Sequence, residues 1–145
     1  TVSVSAYVTI AHFANHANPN DPGLQDFGEI ALRSETASGY IRVDWYTPDA
    51  LPNWGDGRLT LLGTDGYIEL RKYVDVAGRS GTDSLILVNG SRCETMDGRE
   101  AGLPYFDRFA HDIAHRTETA MSQTHCFNVM ELALEAQRLA EAGGR

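Results

Sequence analysis

Alternating apolar and polar residues mark much of the first hundred positions of the chain. Residues 1–10 place Val2, Val4, Ala6, Val8 and Ile10 on one face and polar or aromatic residues on the other. A similar pattern returns at 27–33 and 40–45, which are joined by a short segment ending in Gly39. Because successive side chains of a strand point to opposite faces, these segments predict β-strands.

A second group of strands is predicted around a glycine-rich turn. Residues 59–62 and 67–71 are strand-like and flank Gly63-Thr64-Asp65-Gly66, whose residues suit a tight hairpin. Residues 85–88 and 91–96 are likewise strand-like and flank Asn89-Gly90, a strong hairpin pattern. The sequence therefore predicts two successive hairpins between residues 59 and 96.

The period of the apolar residues changes from two to 3.6 after residue 102. A helix opening at Pro104 is predicted to bury Phe106, Phe109, Ala110 and Ile113, with His111, Asp112 and His115 on the opposite, solvated face. A last helix is predicted over about 124–142, ending at Gly143-Gly144. Its apolar surface is wider than one stripe, so we expect it to be covered on more than one side.

Seven strands followed by two helices predict the α+β class: a large, mostly antiparallel sheet with helices on one face and the other face open. The open face would be polar but rich in aromatic residues and arginine, a composition that favours an interface over plain solvent exposure. We therefore expect a homo-oligomer through this face, with an ordinary solvated face as the alternative. The predicted face comprises Tyr7, Thr9, Tyr40, Arg42, Asp44, Tyr67, Glu69 and Arg71.

Length and charge narrow the classes of function. The 145 residues suffice for one domain with a core, so residues 1–145 are taken as a single domain. The net charge of −8 argues against nucleic acids and anionic membranes as partners. No apolar run approaches the roughly 20 residues of a membrane helix. Cys93 and Cys126 have no metal-type spacing and are expected to be buried free thiols in a reducing cytoplasm.

Two histidine pairs are possible metal ligands. His12 and His16 lie four residues apart in a long loop, 11–25, but no third ligand stands at a recognisable spacing. The segment His111-Asp112-Ile113-Ala114-His115 resembles the zinc-protease HExxH motif with aspartate as its base. Both pairs are better interpreted as solvated histidines, and no metal site is predicted.

No motif for a phosphate loop, a dinucleotide fold or a nucleophile elbow occurs in the sequence. The order of elements, and above all DFGEIALRSETASGYIRVDW followed by GDGRLTLLGTDGYIEL, resembles the C-terminal domain of the Gfo/Idh/MocA oxidoreductases. The family pattern Asp-x-Arg-x-x-x-x-Gly-Thr-x-Gly is matched by Asp56, Arg58, Gly63, Thr64 and Gly66. Residues 105–140 resemble the family's closing helices, so the similarity spans nearly the whole chain.

The resemblance implies a substrate-binding and oligomerisation domain of an NAD(P)-dependent enzyme acting on a sugar, cyclitol or related polyol. The Rossmann domain that binds NAD or NADP, and the catalytic acid or base, would lie outside this chain. We therefore assign no catalytic or cofactor-binding residue here and expect the isolated chain to be inactive. The alternative is a stand-alone sheet module that binds a partner protein or a carbohydrate without catalysis.

The predicted substrate-binding residues are Trp54, Asp56 and Arg58, just before the central hairpin. The resemblance places Trp54 near an aromatic position of the substrate site, and an aromatic wall suits the apolar face of a sugar ring. Asp56 and Arg58 could form charged hydrogen bonds with hydroxyl groups, or instead a structural ion pair that fixes the loop. Lys72 and Asp75 are weaker candidates of the same kind.

Overall fold

The structure is a computed structural model, and it describes residues 3–11, 25–78 and 83–143. Its elements, in chain order, are strands β1 (Ser3–Ala11), β2 (Phe27–Arg33), β3 (Ser38–Asp44), β4 (Gly57–Gly63), β5 (Gly66–Lys72), β6 (Asp83–Asn89) and β7 (Cys93–Asp97), a short 3₁₀ turn (Arg99–Ala101), and helices α1 (Pro104–His115) and α2 (Gln123–Ala142). The α+β class and the positions of the strands and helices are confirmed. His12 and His16 lie outside the described residues.

The described strands form two antiparallel sheets. The first has the order β1-β2-β3 and the second the order β4-β5-β6-β7, with every pair adjacent in sequence. The break falls at residues 45–56, where Pro48 and Pro52 lack the amide donors that a continued ladder would need. The chain correspondingly forms two compact units, residues 1–46 with 105–145 and residues 47–104.

In the first unit, a buried carboxylate holds the start of β2 to the segment that follows β3. Asp26 is buried, and its Oδ1 accepts a hydrogen bond from the Tyr46 hydroxyl at 2.8 Å. The backbone amide of Trp45 donates to the Asp26 carbonyl at 3.0 Å, and the Tyr46 ring stacks on Phe27. Burying a carboxylate is costly unless it is hydrogen-bonded, so Asp26 needs the bond from Tyr46. Together with the Trp45 amide bond, this contact fixes where β2 and β3 begin to pair.

Helix α1 is oriented differently from the prediction. Asp112, predicted on the solvated face, is only 9% exposed, whereas Phe106 is 72% exposed and Phe109 and Ile113 are also exposed. The cause is a turn after the helix: Thr117, Thr119 and Ala120 donate four hydrogen bonds to the Asp112 carboxylate. These bonds cover the aspartate side of α1, so the predicted burial of the aromatic stripe is wrong.

Helix α2 lies against β1, and Ala136 is its buried residue. Ser122 caps its start, because the Ser122 hydroxyl accepts a hydrogen bond from the His125 amide at 3.2 Å. Gly143 ends the helix as predicted, with its amide donating to the Leu139 carbonyl. One broad set of its apolar residues is exposed in this chain, so the cover expected on more than one side stays a prediction; these residues are Phe127, Val129, Met130 and Leu134.

In the second unit, the two predicted hairpins are confirmed. Gly63 pairs with Gly66 at the first turn, and Gly66 has a φ of 150°, which favours glycine. A Cβ at Gly66 would lie 2.1 Å from the Val88 carbonyl oxygen, so no side chain fits there. At the second turn, the Asn89 side chain accepts hydrogen bonds from the amides of Ser91 and Arg92. This side-chain turn sets the register of β6 and β7.

The two faces of the four-stranded sheet differ in chemistry. The register places Arg58 beside Arg71, and Thr60 beside Glu69, on the more polar face, which also carries Leu62, Ile86 and Val88. The opposite face is apolar and carries Leu59, Leu61, Ile68, Leu70, Leu85, Leu87 and Met96. Of these, Leu59, Leu61 and Met96 are exposed.

The cysteines are free, but both are exposed, so their predicted burial is wrong. Cys93 is the first residue of β7, a strand whose residues are all exposed. Cys126 lies in the first turn of α2, next to the exposed Phe127.

Within the described residues, no helix has the length and apolarity needed to cross a membrane.

Candidate functional site

The predicted site residues lie at the open end of the β4–β5 hairpin, which we call the hairpin mouth (Trp54, Asp56, Gly57, Arg58, Arg71 and Lys72). Strand β4 begins there and β5 ends there, with Gly57 paired to Lys72 and Arg58 paired to Arg71. Antiparallel pairing therefore brings the segment before β4 next to the end of β5. A set of charged side chains results, all within the second unit.

Asp56 and Arg58 are in direct contact. The Asp56 Oδ2 atom accepts hydrogen bonds from Arg58 Nε at 3.1 Å and Nη2 at 2.7 Å. The two side chains point the same way because they are two residues apart in extended chain, on either side of Gly57. The hydrogen bond from Arg58 to Asp56 raises the pKa of the guanidinium, with a further contribution from the Asp56 charge. Arg58 therefore stays cationic at any physiological pH.

The second arginine of the hairpin mouth has its own acidic partners. Arg71 Nε donates to Glu69 Oε1 at 2.6 Å, and Nη1 lies 3.9 Å from Asp75 Oδ1. The neighbouring Lys72 ammonium lies 3.6 Å from Asp83 Oδ1. Asp75 thus pairs with Arg71, and Lys72 pairs with Asp83 on the opposite face of the sheet, so the two weaker candidates belong to different ion pairs.

Trp54 is placed differently from the charged pair. Trp54 is 79% exposed, whereas the Asp56 side chain is 27% exposed. Its backbone amide donates to the Asn53 side-chain oxygen at 2.9 Å, a bond that shapes the irregular segment leading to β4. Trp54 lies two residues before Asp56 in the chain. An exposed indole and a charged pair are the kinds of group that bind a polar ligand with one apolar face.

Tyr73 directly follows β5 at the hairpin mouth, and the sequence analysis did not single it out. Its φ of 74° is rare for a residue with a bulky side chain. The residues on either side of it are hydrogen-bonded to each other, since the Val74 amide donates to the Lys72 carbonyl at 3.0 Å. A Cβ at Gly57 would lie 3.7 Å from Tyr73 Cε2, so the tyrosine ring lies on the face of β4 opposite the side chains of Asp56 and Arg58. The sequence offered no indication, because nothing in Lys72-Tyr73-Val74 predicts a positive φ.

The histidines of α1 form a stacked pair. The rings of His111 and His115 lie 4.0 Å apart, and His115 Nδ1 lies 2.9 Å from the His111 carbonyl oxygen. Asp112, the base in a zinc-protease interpretation, is held instead by the turn at 117–120. Across residues 3–11, 25–78 and 83–143, no three histidine, cysteine or acidic residues cluster closely enough to hold a metal ion.

Two solved structures share this fold, each of a protein described as a "putative oxidoreductase". The first, from Erwinia carotovora atroseptica SCRI1043, is 41% identical over 97% of this chain, with a TM-score of 0.84. The second, from Thermotoga maritima, is 18% identical over 99% of this chain, with a TM-score of 0.76, and shows the fold alone. Comparison with protein-family models and with curated proteins gives no match.

The chain spans less than half of either relative: 41% of the Erwinia protein and 39% of the Thermotoga protein. The similarity therefore relates this chain to one part of a larger oxidoreductase. It supports the redox-enzyme class that the sequence predicts.

Proposed function

We propose that this chain is the substrate-binding and oligomerisation domain of an NAD(P)-dependent oxidoreductase of the Gfo/Idh/MocA type, acting on a sugar, cyclitol or related polyol. The observation that carries the proposal is the 41% identity, over 97% of this chain, to part of an Erwinia protein described as an oxidoreductase. The hairpin mouth supplies the binding site, since it combines an exposed indole with a charged hydrogen-bonding pair.

The chemistry of the hairpin mouth suits a polyhydroxylated ring. Hydroxyl groups can donate to the Asp56 carboxylate and accept from the Arg58 guanidinium, and hydrogen bonds to ionised groups are about twice as strong as neutral ones. The fixed geometry of the Asp56–Arg58 pair orients the substrate at little entropic cost. Trp54 covers the apolar face of the ring.

The nicotinamide cofactor, NAD or NADP, belongs to the part of the enzyme outside this chain and supplies hydride transfer there. The catalytic acid or base belongs to the same part. The described residues bind and orient the substrate, which leaves the isolated chain inactive. The cytoplasmic location inferred from the two unpaired cysteines is part of this proposal.

Self-association is proposed through the sheet of the second unit. The apolar face exposes Leu59, Leu61 and Met96. On the other face Tyr67, Glu69 and Arg71 are half-buried, and Leu62 is exposed. Exposed apolar residues grouped on one sheet face are typical of a protein interface. A second copy of the chain is the proposed occupant, so Leu61→Glu should shift a dimer towards monomer in light scattering. An unchanged mass would exclude this face.

The test of the enzymatic proposal uses the longer protein. It would be incubated with D-glucose, D-xylose and myo-inositol in the presence of NAD or NADP, and formation of reduced cofactor would be followed. Turnover of at least one compound by the longer protein, and none by residues 1–145 alone, is expected. Carbohydrate binding without any cofactor reduction by the longer protein would favour the non-catalytic sheet module instead.

A further inference from the structure

We propose that Asp56 is a specificity-determining residue of the hairpin mouth: by neutralising Arg58, it makes the site select uncharged polyols over sugar acids and sugar phosphates. This inference rests on the proposed function, because it names the substrate class of the same site. Sugars, sugar acids and sugar phosphates present similar hydroxyl groups, so the charge of the site decides between them.

The Arg58 guanidinium is already bound by Asp56 along one edge. Both Nε and Nη2 of Arg58 donate to Asp56 Oδ2, at 3.1 and 2.7 Å. A carboxylate or phosphate ligand would use an edge of this kind, through two parallel hydrogen bonds. An anionic ligand must therefore displace Asp56, or bind the rest of the guanidinium beside a carboxylate of its own charge.

The second guanidinium on the same face is neutralised as well. Arg71 lies opposite Arg58 in the β4–β5 ladder, and two adjacent arginines could otherwise form an anion site. Arg71 Nε instead donates to Glu69 Oε1 at 2.6 Å, and its Nη1 lies 3.9 Å from Asp75 Oδ1. The Arg58 side chain is 48% exposed and that of Arg71 22%, so Arg58 is the more accessible of the two to a ligand.

The third cation of the hairpin mouth, Lys72, lies on the opposite face of the sheet, because it alternates with Arg71 along β5. There its ammonium lies 3.6 Å from Asp83 Oδ1 and 5.1 Å from the centroid of the Tyr73 ring. Lys72 therefore adds no positive charge to the face that carries Arg58.

The carboxylates of this face act together on Arg58. The hydrogen bond to Asp56 raises the pKa of the guanidinium most, followed by the Asp56 charge, and the charges of Glu69 and Asp75 contribute further. The same negative field repels an anionic ligand, and the net charge of −8 on the chain adds to this repulsion. An uncharged hydroxyl group meets no such repulsion, and it can donate to Asp56 while accepting from Arg58.

The experiment measures equilibrium binding to the longer protein at neutral pH by isothermal titration calorimetry. The probes are pairs that share a ring and differ in charge: D-glucose with D-glucuronate, D-galactose with D-galacturonate, and myo-inositol with myo-inositol 1-phosphate. In the wild type, we expect the neutral member of at least one pair to bind at least about tenfold more tightly than its anionic partner.

Asp56→Asn keeps the size of the side chain and removes its charge, so Arg58 becomes available to an anion. We expect the ratio of the anionic Kd to the neutral Kd to fall roughly tenfold. Both ligands of a pair meet the same protein, so partial unfolding of a variant does not mimic this change. Glu94→Gln is the matched control, because it frees Arg92 on β7, away from the hairpin mouth, and should leave the ratio unchanged.

The outcomes separate this inference from the proposed function. Anionic members that bind the wild type as tightly as their neutral partners would overturn the selectivity. A neutral preference that survives in Asp56→Asn, or that Glu94→Gln reduces equally, would overturn the role of Asp56 and leave the hairpin mouth as a polyol site. Failure of all six compounds to bind the longer protein would overturn the proposed function, and this inference with it.

Discussion

Arg58 and Arg71 lie directly opposite each other on neighbouring strands, and each is held by a carboxylate two residues earlier in the chain. Two like charges in adjacent positions of a sheet destabilise it unless they are compensated. Asp56 compensates Arg58, and Glu69 with Asp75 compensates Arg71. The structural and the binding interpretations of the Asp56–Arg58 pair are therefore compatible, since the same ion pair stabilises the hairpin and presents charge at its mouth.

The first prediction concerns this compensation. Glu69→Gln removes the charge beside Arg71 and leaves two arginines facing each other, so the free energy of unfolding should fall by about 1 kcal/mol. Urea denaturation measures the change. In an Arg58→Gln background the same substitution should cost clearly less, because the opposing charge is gone. An equal cost in both backgrounds would show that the arginines do not interact.

A second prediction concerns the turn of the central hairpin. Gly66→Ala places a methyl group against the Val88 carbonyl in a conformation with positive φ, so unfolding free energy should fall by on the order of 3 kcal/mol. Gly90→Ala is the matched control at the next hairpin, where a Cβ meets nothing within 4 Å, and it should change stability by less than about 0.5 kcal/mol. Similar losses in both variants would contradict the close approach at Gly66.

A third prediction concerns the acid sensitivity of the turn after α1. Burial alone would raise the pKa of Asp112, but hydrogen bonds from Thr117, Ala120 and Thr119 outweigh it and hold that pKa well below its usual range. A carboxyl with a lowered folded-state pKa stabilises the protein above its unfolded pKa of about 4 and loses that contribution as the pH falls further.

Asp112→Asn should therefore lower the Tm at neutral pH, by roughly several degrees, and flatten the dependence of Tm on pH below about 4. Thermal unfolding followed by circular dichroism from pH 7 to pH 2 measures both effects. Asp107→Asn, a change at an exposed carboxylate of the same helix, is the control and should leave the profile unchanged. If Asp112→Asn lowered the Tm by the same amount at every pH, the acid sensitivity would not arise from the Asp112 carboxylate.

A fourth prediction concerns the exposed apolar residues of the two helices. Tyr105, Phe106 and Phe109 form an exposed aromatic cluster on α1, and Phe127, Met130 and Leu134 are exposed on α2. The chain spans 41% of its Erwinia relative, so the proposed cover is the rest of the longer protein. Residues 1–145 alone should bind the dye ANS, and the longer protein should bind much less. Equal dye binding by the two proteins would contradict the proposal that the rest of the longer protein covers these residues.

Much of the fold follows from local patterns. Strand β2 was predicted over the same residues that the structure shows, because an alternating run closed by a polar connection leaves little choice of register. The turn at Gly63–Gly66 was predictable because Gly, Thr and Asp suit tight turns, and Gly66 does take a positive φ there. The Asp56–Arg58 contact also follows from sequence, since residues two apart in extended chain share a face.

Other features depend on contacts that no local pattern contains. The burial of Asp112 results from a turn that folds back on it, and hydrophobic periodicity alone assigned that residue to solvent. The apolar stripe of α1 is exposed although its spacing is typical of a buried face, because a helix can only bury a face that something covers. The positive φ of Tyr73 is likewise a feature that no local pattern predicts.

The most direct test of the proposed site is the kinetic effect of Arg58→Ala in the longer protein, compared with Arg92→Ala. Arg92 also pairs with a carboxylate two residues away, Glu94, but on β7 and away from the hairpin mouth, so it controls for loss of a surface ion pair. If Arg58 binds the substrate, Arg58→Ala should raise KM at least about tenfold, the equivalent of one charged hydrogen bond, while Arg92→Ala leaves KM unchanged. An equal and small effect of the two substitutions would contradict substrate binding at the hairpin mouth.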